Sequence, residues 1–296
     1  MQQKNEIQTQ DWLVFFALSF VWGFSFFFIK KGLEAFHPIQ VAALRMCFAF
    51  VAFLPFVFIY RKKLSISKQN IKYVPLLGLF GNMLPVICFC IAETKVDSAI
   101  AGIQNSTTPI FALFLGSFIF NVPLSRNKII GVVLGFVGAC LIILAETKNV
   151  HQDFSYHIFL PLLATFFYGI NANLFKNFFQ KEHPLVIAFW QYLFVFIVCF
   201  PYLLWSDTLE RIQTNTTIAF SSLTYLMILG VCGTAIAQVY FNKLTQRTSA
   251  LFATMTTFVI PIISVLIGVA IGEKIIALHI IGLLVIFSGI YSVIKG

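Results

Sequence analysis

Of the 20 Lys and Arg residues in this chain, Arg45 alone falls inside an apolar run rather than at its edge. It stands some six residues into that run, about 9 Å along a helix that rises about 1.5 Å per residue. A cation at that depth has two uses. It snorkels to the headgroups or bonds Glu34 or helix-end carbonyls, or it anchors the carboxylate of a bound solute. Other apolar runs carry amides and hydroxyls: Ser25, Asn82, Gln104, Asn105, Ser106, Thr107, Asn171, Asn173, Gln191, Gln238, Thr254, Thr256 and Thr257. An unpaired amide in hydrocarbon is costly, so these side chains face the interior, where helix-to-helix hydrogen bonds explain each one singly. Taken as a set, and joined by Trp22, Tyr168, Trp190 and Tyr240 with their large apolar faces and polar tips, they outline a place for a solute. The candidate substrate contacts are Trp22, Ser25, Arg45, Asn82, Asn105, Tyr168, Asn171, Trp190, Gln191, Gln238, Tyr240 and Thr257.

Reactive chemistry is missing. No nucleophile is accompanied by a buried His or carboxylate at membrane depth, which argues against a membrane-embedded enzyme. Cys47, Cys88, Cys90, Cys140, Cys199 and Cys232 sit in apolar runs and read as small core residues, and the five histidines lack metal-ligand spacing. No metal and no cofactor is expected. There is no phosphate-binding loop, so ATP does not drive the protein directly. The carboxylates Glu34, Glu93, Asp97, Glu146, Asp153, Asp207, Glu210 and Glu273 fall at loops or helix ends. Facilitated diffusion, exchange, and proton coupling through an end-of-run acid such as Glu93 all stay open.

The elements that must position these residues follow from composition. Among 296 residues, 59% are hydrophobic and only 10% charged, with a mean hydropathy of +0.90. Too little charge remains to cover a water-soluble surface, which excludes soluble enzymes, nucleic-acid binders and disordered chains. The net charge of +9 is then topological, and no nucleic-acid partner is expected. Apolar runs at 12–29, 39–60, 73–92, 98–120, 129–145, 158–175, 185–205, 223–242, 249–272 and 275–294 each approach the roughly 20 residues that cross a bilayer. They are continuous, unlike the alternating strands of about ten residues in a membrane barrel. The first lacks a small-x-small cleavage site and begins with Asp11, so it reads as a span and not a signal peptide. With the N-terminus inside, cytoplasmic segments hold 13 Lys and Arg residues against 6 outside, which places both termini in the cytoplasm.

The chain is also written twice. A shift of 146 aligns Trp22-Gly23 with Tyr168-Gly169, Lys30 with Lys176, His37-Pro38 with His183-Pro184, and Pro55 with Pro201. A shift of 151 to 152 aligns Gly78 with Gly230, Gly81 with Gly233, Pro109 with Pro261, Gly131 with Gly282, and Gly138 with Gly289. Regular Gly and Pro matches exceed what shared composition produces. Each copy holds five spans, an odd number, so the two are inserted in opposite senses. The expected architecture is all-α and polytopic, with ten transmembrane helices in two five-helix inverted repeats. Residues 1–11 form a cytoplasmic tail, 12–145 the first repeat, 146–157 an outer linker and 158–294 the second repeat. Such repeats enclose a cavity that opens to either side as they rock. Ser25 pairs with Asn171, Arg45 with Gln191, and Asn105 with Thr257, around one pseudo-axis. Pro109 and Pro261, inside helices that run past them, are candidate hinges. Gly131, Gly135 and Gly138, and Gly268 and Gly272, have close-packing spacing. Packing within a monomer is expected from them, with a homodimer as the alternative.

Trp22, Gly23 and Lys30, Arg45 in the next run, Pro109 in the fourth, and Gly272-Glu273 before the last together resemble the drug/metabolite transporter superfamily, in particular its EamA-domain family. The resemblance covers essentially the whole chain. It departs from the pattern at Asn121-Val122, where the family often carries a first Gly-Glu pair. It implies a permease or exporter of small polar or amphipathic metabolites, amino acids among them, in the inner membrane. The expected function is secondary transport by alternating access, with export favoured and a small-molecule substrate and membrane lipids as partners. A flippase for a lipid or lipid-linked solute is the nearer alternative and a membrane-embedded enzyme the remote one.

Overall fold

The computed structural model describes residues 7–60, 64–96, 98–146, 156–270 and 277–296, and among them all regular structure is helical. In chain order the helices are α1 (Thr9–Gly23), α2 (Ser25–Leu33), α3 (Pro38–Tyr60), α4 (Val74–Gly78), α5 (Leu84–Ala92), α6 (Ser98–Asn105), α7 (Thr108–Phe120) and α8 (Arg126–Glu146). They continue with α9 (Leu160–Phe178), α10 (Pro184–Trp205), α11 (Thr208–Thr214), α12 (Thr216–Ile228), α13 (Ala237–Arg247), α14 (Ala250–Thr254), α15 (Thr256–Ala270) and α16 (Ala277–Lys295). Among the described residues, six helical segments are long and apolar enough to cross a membrane: Thr9–Leu33, Pro38–Val57, Ile71–Ala92, Tyr156–Phe178, Pro184–Trp205 and Thr216–Arg247. Shorter apolar helices occupy Thr108–Phe120, Ala250–Ile263 and Ile280–Lys295. Large apolar side chains such as Phe118 and Leu284 point outward, as a chain solvated by lipid requires. Gly272, Glu273 and most of the 146–157 linker lie outside the described residues.

Departures from plain α-helix recur at aligned places in the two halves. Between α4 and α5 the chain widens into a π-helical turn at Leu79–Met83, and between α12 and α13 into another at Leu229–Ile236. The two occupy aligned positions, around Gly81 and Gly233. The expected run 98–120 breaks between α6 and α7, where Ser106, Thr107 and Thr108 bond back to the carbonyls of Gly102, Gln104 and Asn105. Hydroxyls that compete for backbone acceptors in this way tighten or interrupt a helix. Pro109 therefore falls in the first turn of α7 and not mid-helix, where its missing N–H has nothing to lose. Pro261 does lie inside α15, but the break in that run comes earlier, at Met255, flanked by the same hydroxyl back-bonds from Thr254, Thr256 and Thr257. Asn121 closes α7 in the left-handed conformation, φ 53°, a cap that Asn tolerates when Gly is absent.

Aligned glycines meet aligned partners. A Cβ on Gly230 would lie 2.7 Å from the Arg45 carbonyl and 2.7 Å from Phe48, and a Cβ on Gly78 3.1 Å from the Gln191 carbonyl and 2.9 Å from Phe194. Thus α3 packs on the second π-turn and α10 on α4, each crossing to the other half of the chain. The pair α8 and α16 approaches closest of all: a Cβ on Gly131 would sit 2.5 Å from the Gly289 carbonyl, and one on Gly138 2.7 Å from that of Gly282. This small-residue stripe is spent within the chain. Among the cysteines, Cys47, Cys88, Cys90 and Cys199 are buried as expected. Cys140 is only half-buried and Cys232 is exposed, because the helix face that carries it looks away from the bundle.

At the end of the bundle where the chain begins, polar side chains tie the helices together. Lys176 donates to the carbonyls of Thr245, Gln246 and Thr248 at the end of α13, and Gln246 donates to those of Phe179 and Glu182 beyond α9. Arg247 Nε meets the buried Asp11 carboxylate of α1 at 2.9 Å. Gly138→Ala forces α8 off α16 and is expected to cost about 1–3 kcal/mol. Gly102→Ala, where a Cβ meets only Phe26 at 4.0 Å, is expected to be neutral or stabilising by up to about 1 kcal/mol. Thermal unfolding of the purified variants in detergent separates the two.

Candidate functional site

The departures from plain helix converge on one cavity. It holds about 840 Å³ including its opening, and is walled by α1, α2, α3, α5, α9, α10 and α13, both π-turns, and the breaks in the two runs rich in threonine. The breaks meet directly, Ser106 Oγ donating to the Thr257 carbonyl at 3.1 Å, and Ser19 Oγ of α1 donates to that of Thr256 at 3.0 Å. A π-turn leaves backbone groups out of register, and here they are used. Trp22 Nε1 donates to the Gly233 carbonyl at 3.1 Å, and Thr234 Oγ1 to that of Leu229, five residues back.

Arg45 enters this cavity from α3. It is 7% exposed, and its Nε donates to Thr234 Oγ1 at 2.6 Å. Glu34, the loop partner weighed from sequence, is taken by Lys31 at 2.6 Å instead. Among the described residues no carboxylate lies within ion-pair distance of Arg45. The guanidinium is thus held by one neutral hydroxyl at its Nε, while the residue lines the cavity. Tyr168, Tyr192, Cys90 and Glu93 lie within electrostatic reach of it.

The other walls carry polar groups that the protein leaves unpaired. Ser25 Oγ, Asn82 Nδ2, Asn105 Oδ1 and Asn171 Oδ1 are buried without a hydrogen-bond partner, and all four residues line the cavity. Asn82 Oδ1 accepts from Tyr192 Oη, so its amide is oriented with the amino group free. Gln238 Nε2 donates to Asn242 at 2.8 Å. Buried polar groups in native proteins are nearly always satisfied, so a cluster of unpaired ones around a void marks a place filled by water or solute. Phe89 and Tyr168 stack at 6.3 Å and Phe26, Ile29, Val86 and Phe241 complete an apolar side. The cavity thus sets a polar wall with one fixed cation against an apolar wall.

Of the sequence-derived candidates, Trp22, Ser25, Arg45, Asn82, Asn105, Tyr168, Asn171, Gln238 and Thr257 line the cavity. Three lie outside its lining. Trp190 spends its indole N–H on the Leu64 carbonyl at 2.8 Å, Gln191 is fully buried with neither amide atom paired, and Tyr240 is 46% exposed on the outer surface. Pro109 and Pro261 do not line it either. Thr234 and Tyr192 were missed. Thr234 is the repeat equivalent of Asn82, and that alignment was the available signal. Tyr192 stands in an aromatic-rich run that hides it.

Comparison with known proteins agrees with this architecture. The profile of the EamA-like transporter family matches residues 11–144 and again 155–295. The chain belongs to that family, and its class is membrane transporter. An uncharacterized transporter of Archaeoglobus fulgidus is 22% identical over 97% of this chain and 99% of its own length. Proteins named as probable amino-acid metabolite efflux pumps are 26% identical in Salmonella typhimurium and 24% in Escherichia coli, each over 93% of this chain and 92% of its own length. A solved crystal structure superposes with a TM-score of 0.71, at 14% identity, over 96% of both chains, and shares the fold.

Gly81 gives a way to perturb the site alone. A Cβ there would lie 2.4 Å from Asn171 Oδ1, the movable end of a side chain. Gly81→Ala is expected to displace that amide into the cavity and weaken solute binding about tenfold, roughly the value of one lost hydrogen bond. The melting temperature should change little. Equal loss of binding and folding would place Gly81 in the scaffold only.

Proposed function

We propose that this protein is a secondary transporter that moves small organic metabolites bearing a carboxylate, amino acids foremost, across the inner membrane by alternating access, with export favoured. The observation that carries this reading is Arg45: a buried cation without a carboxylate partner among the described residues, on the wall of a polar cavity between the halves of the chain. Removing a guanidinium from water is expensive, and a protein that leaves it unpaired has reserved it for a ligand. The names of the Salmonella and Escherichia relatives support the amino-acid class.

The finer topology belongs to the same proposal. Ten crossings in two inverted five-helix repeats, with both termini cytoplasmic, fit the helices found in every expected apolar run and the crossed contacts of Gly78 with α10 and Gly230 with α3. The excess of Lys and Arg in the assigned cytoplasmic segments supports the orientation. A monomer suffices for this scheme, since one chain encloses the cavity.

Flux of radiolabelled amino acids through proteoliposomes tests the reading. Arg45→Gln is expected to lower transport of carboxylate-bearing solutes about 10- to 100-fold, the range of a charge-assisted hydrogen bond worth about 1.5–3 kcal/mol. Arg45→Lys should retain part of it. Unchanged flux in a well-folded Arg45→Gln protein refutes the anchor, and flux of lipid but of no soluble metabolite points to a flippase.

A further inference from the structure

Among the described residues, the buried charged side chains besides Arg45 are Asp11 and Glu93. Asp11 is satisfied: it pairs with Arg247 and accepts from the Gln8 N–H. Glu93 is not. It caps the end of α5, one residue beyond the apolar segment Ile71–Ala92, and is 5% exposed. Its Oε1 has no hydrogen-bond partner, and its Oε2 receives only a long bond, 3.4 Å, from Ser98 Oγ. A buried ionised carboxylate needs two or three good donors, and this one lacks them.

Its position links it to the cavity. Glu93 lies one helical turn beyond Phe89, which lines the cavity, and its N–H bonds the Phe89 carbonyl at 2.9 Å. Residues four apart share a helix face. Ser98 from α6 bonds it, and the titratable groups within electrostatic reach of it are Lys30 from α2, Arg45 from α3 and Cys90 from α5 itself. Burial pushes the Glu93 carboxyl well above the usual range, against the opposing pull of Lys30, Ser98 and Arg45. Its repeat equivalent, Thr245, bonds the carbonyl of Phe241 and has no charge to exchange.

We propose that Glu93 is a proton-binding site linked to the occupancy of the cavity through Arg45, so that a carboxylate binds together with one proton. The linkage rests on the reading of Arg45 as a solute anchor, and its sign follows from electrostatics. With the cavity empty, the Arg45 charge favours Glu93 as carboxylate. A solute anion at Arg45 neutralises that charge, and Glu93 takes a proton from water in response. Solute and proton then travel in the same direction. Export down a solute gradient carries a proton out, and a proton gradient directed inward opposes it.

Infrared difference spectroscopy of the full chain in lipid, titrated from about pH 5 to about pH 9, tests this without a known substrate. A protonated-carboxyl band is expected to titrate with a midpoint above the ordinary Glu value of about 4.3, and to vanish in Glu93→Gln. Glu93→Asp, which keeps a carboxyl, should displace the band and serves if Glu93→Gln does not fold. Arg45→Gln should raise the midpoint by about one unit, and Arg45→Lys should leave it near the wild-type value. No band attributable to Glu93 overturns the proton site. A band whose midpoint ignores Arg45→Gln overturns the linkage. Neither result depends on the transport assays, so a failure here is distinct from a failure of the carboxylate-transport reading.

Discussion

The bond from Arg45 to Thr234 is the contact on which the site depends. It joins α3 of the first half to a π-turn of the second, across the cavity the halves enclose. A guanidinium in an apolar bundle demands compensation, and one neutral hydroxyl falls short of it. The surrounding departures from ideal helix make sense around that demand. The π-turns bring Asn82 and Thr234 to the void, and the hydroxyl-rich breaks add Asn105, Thr256 and Thr257. Each is a place where the backbone relinquishes regular hydrogen bonding at membrane depth, and that is tolerated only where protein or enclosed water supplies the partners.

Much of this was legible in the sequence because lipid simplifies the code. Apolar runs locate helices regardless of tertiary contacts, and the Gly and Pro matches between halves mark where backbones approach. Gly78 and Gly230 therefore found aligned partners, Phe194 and Phe48. Helix irregularities were less legible. Pro109 drew attention as a kink, yet the structure places it harmlessly at the start of α7, and the interruption belongs to Ser106 and Thr107. The π-turns have no strong residue signature, so Thr234 passed unnoticed. Side-chain direction was least legible: Trp190, Gln191 and Tyr240 are typical pocket residues whose helix faces turn them away from the void.

Symmetry explains why scaffold and chemistry differ in this respect. The aligned glycines and π-turns recur in both halves because a duplicated frame needs the same close approaches twice. The functional groups do not recur. Arg45 aligns with Gln191, Thr234 with Asn82 and Glu93 with Thr245, so in each pair the charged member, where there is one, belongs to the first half. Lys30 and Lys176 show the same divergence in their surroundings. Lys176 is spent on three carbonyls at the end of α13, whereas the charge of Lys30 acts on Glu93.

A scaffold with two equivalent conformations and one set of charges behaves differently from a fully symmetric one. In the proposed alternating-access cycle rocking exchanges the roles of the two ends but not Glu93 with Thr245, so the proposed proton site belongs to one end of the bundle. The opposite end is held by Arg247 with Asp11 and by Lys176 with backbone carbonyls, contacts that are already satisfied and need no proton. The energetic asymmetry of the cycle therefore resides in a handful of substitutions on a duplicated frame. In that proposal the frame supplies the motion, and those substitutions decide which ions and solutes bias it.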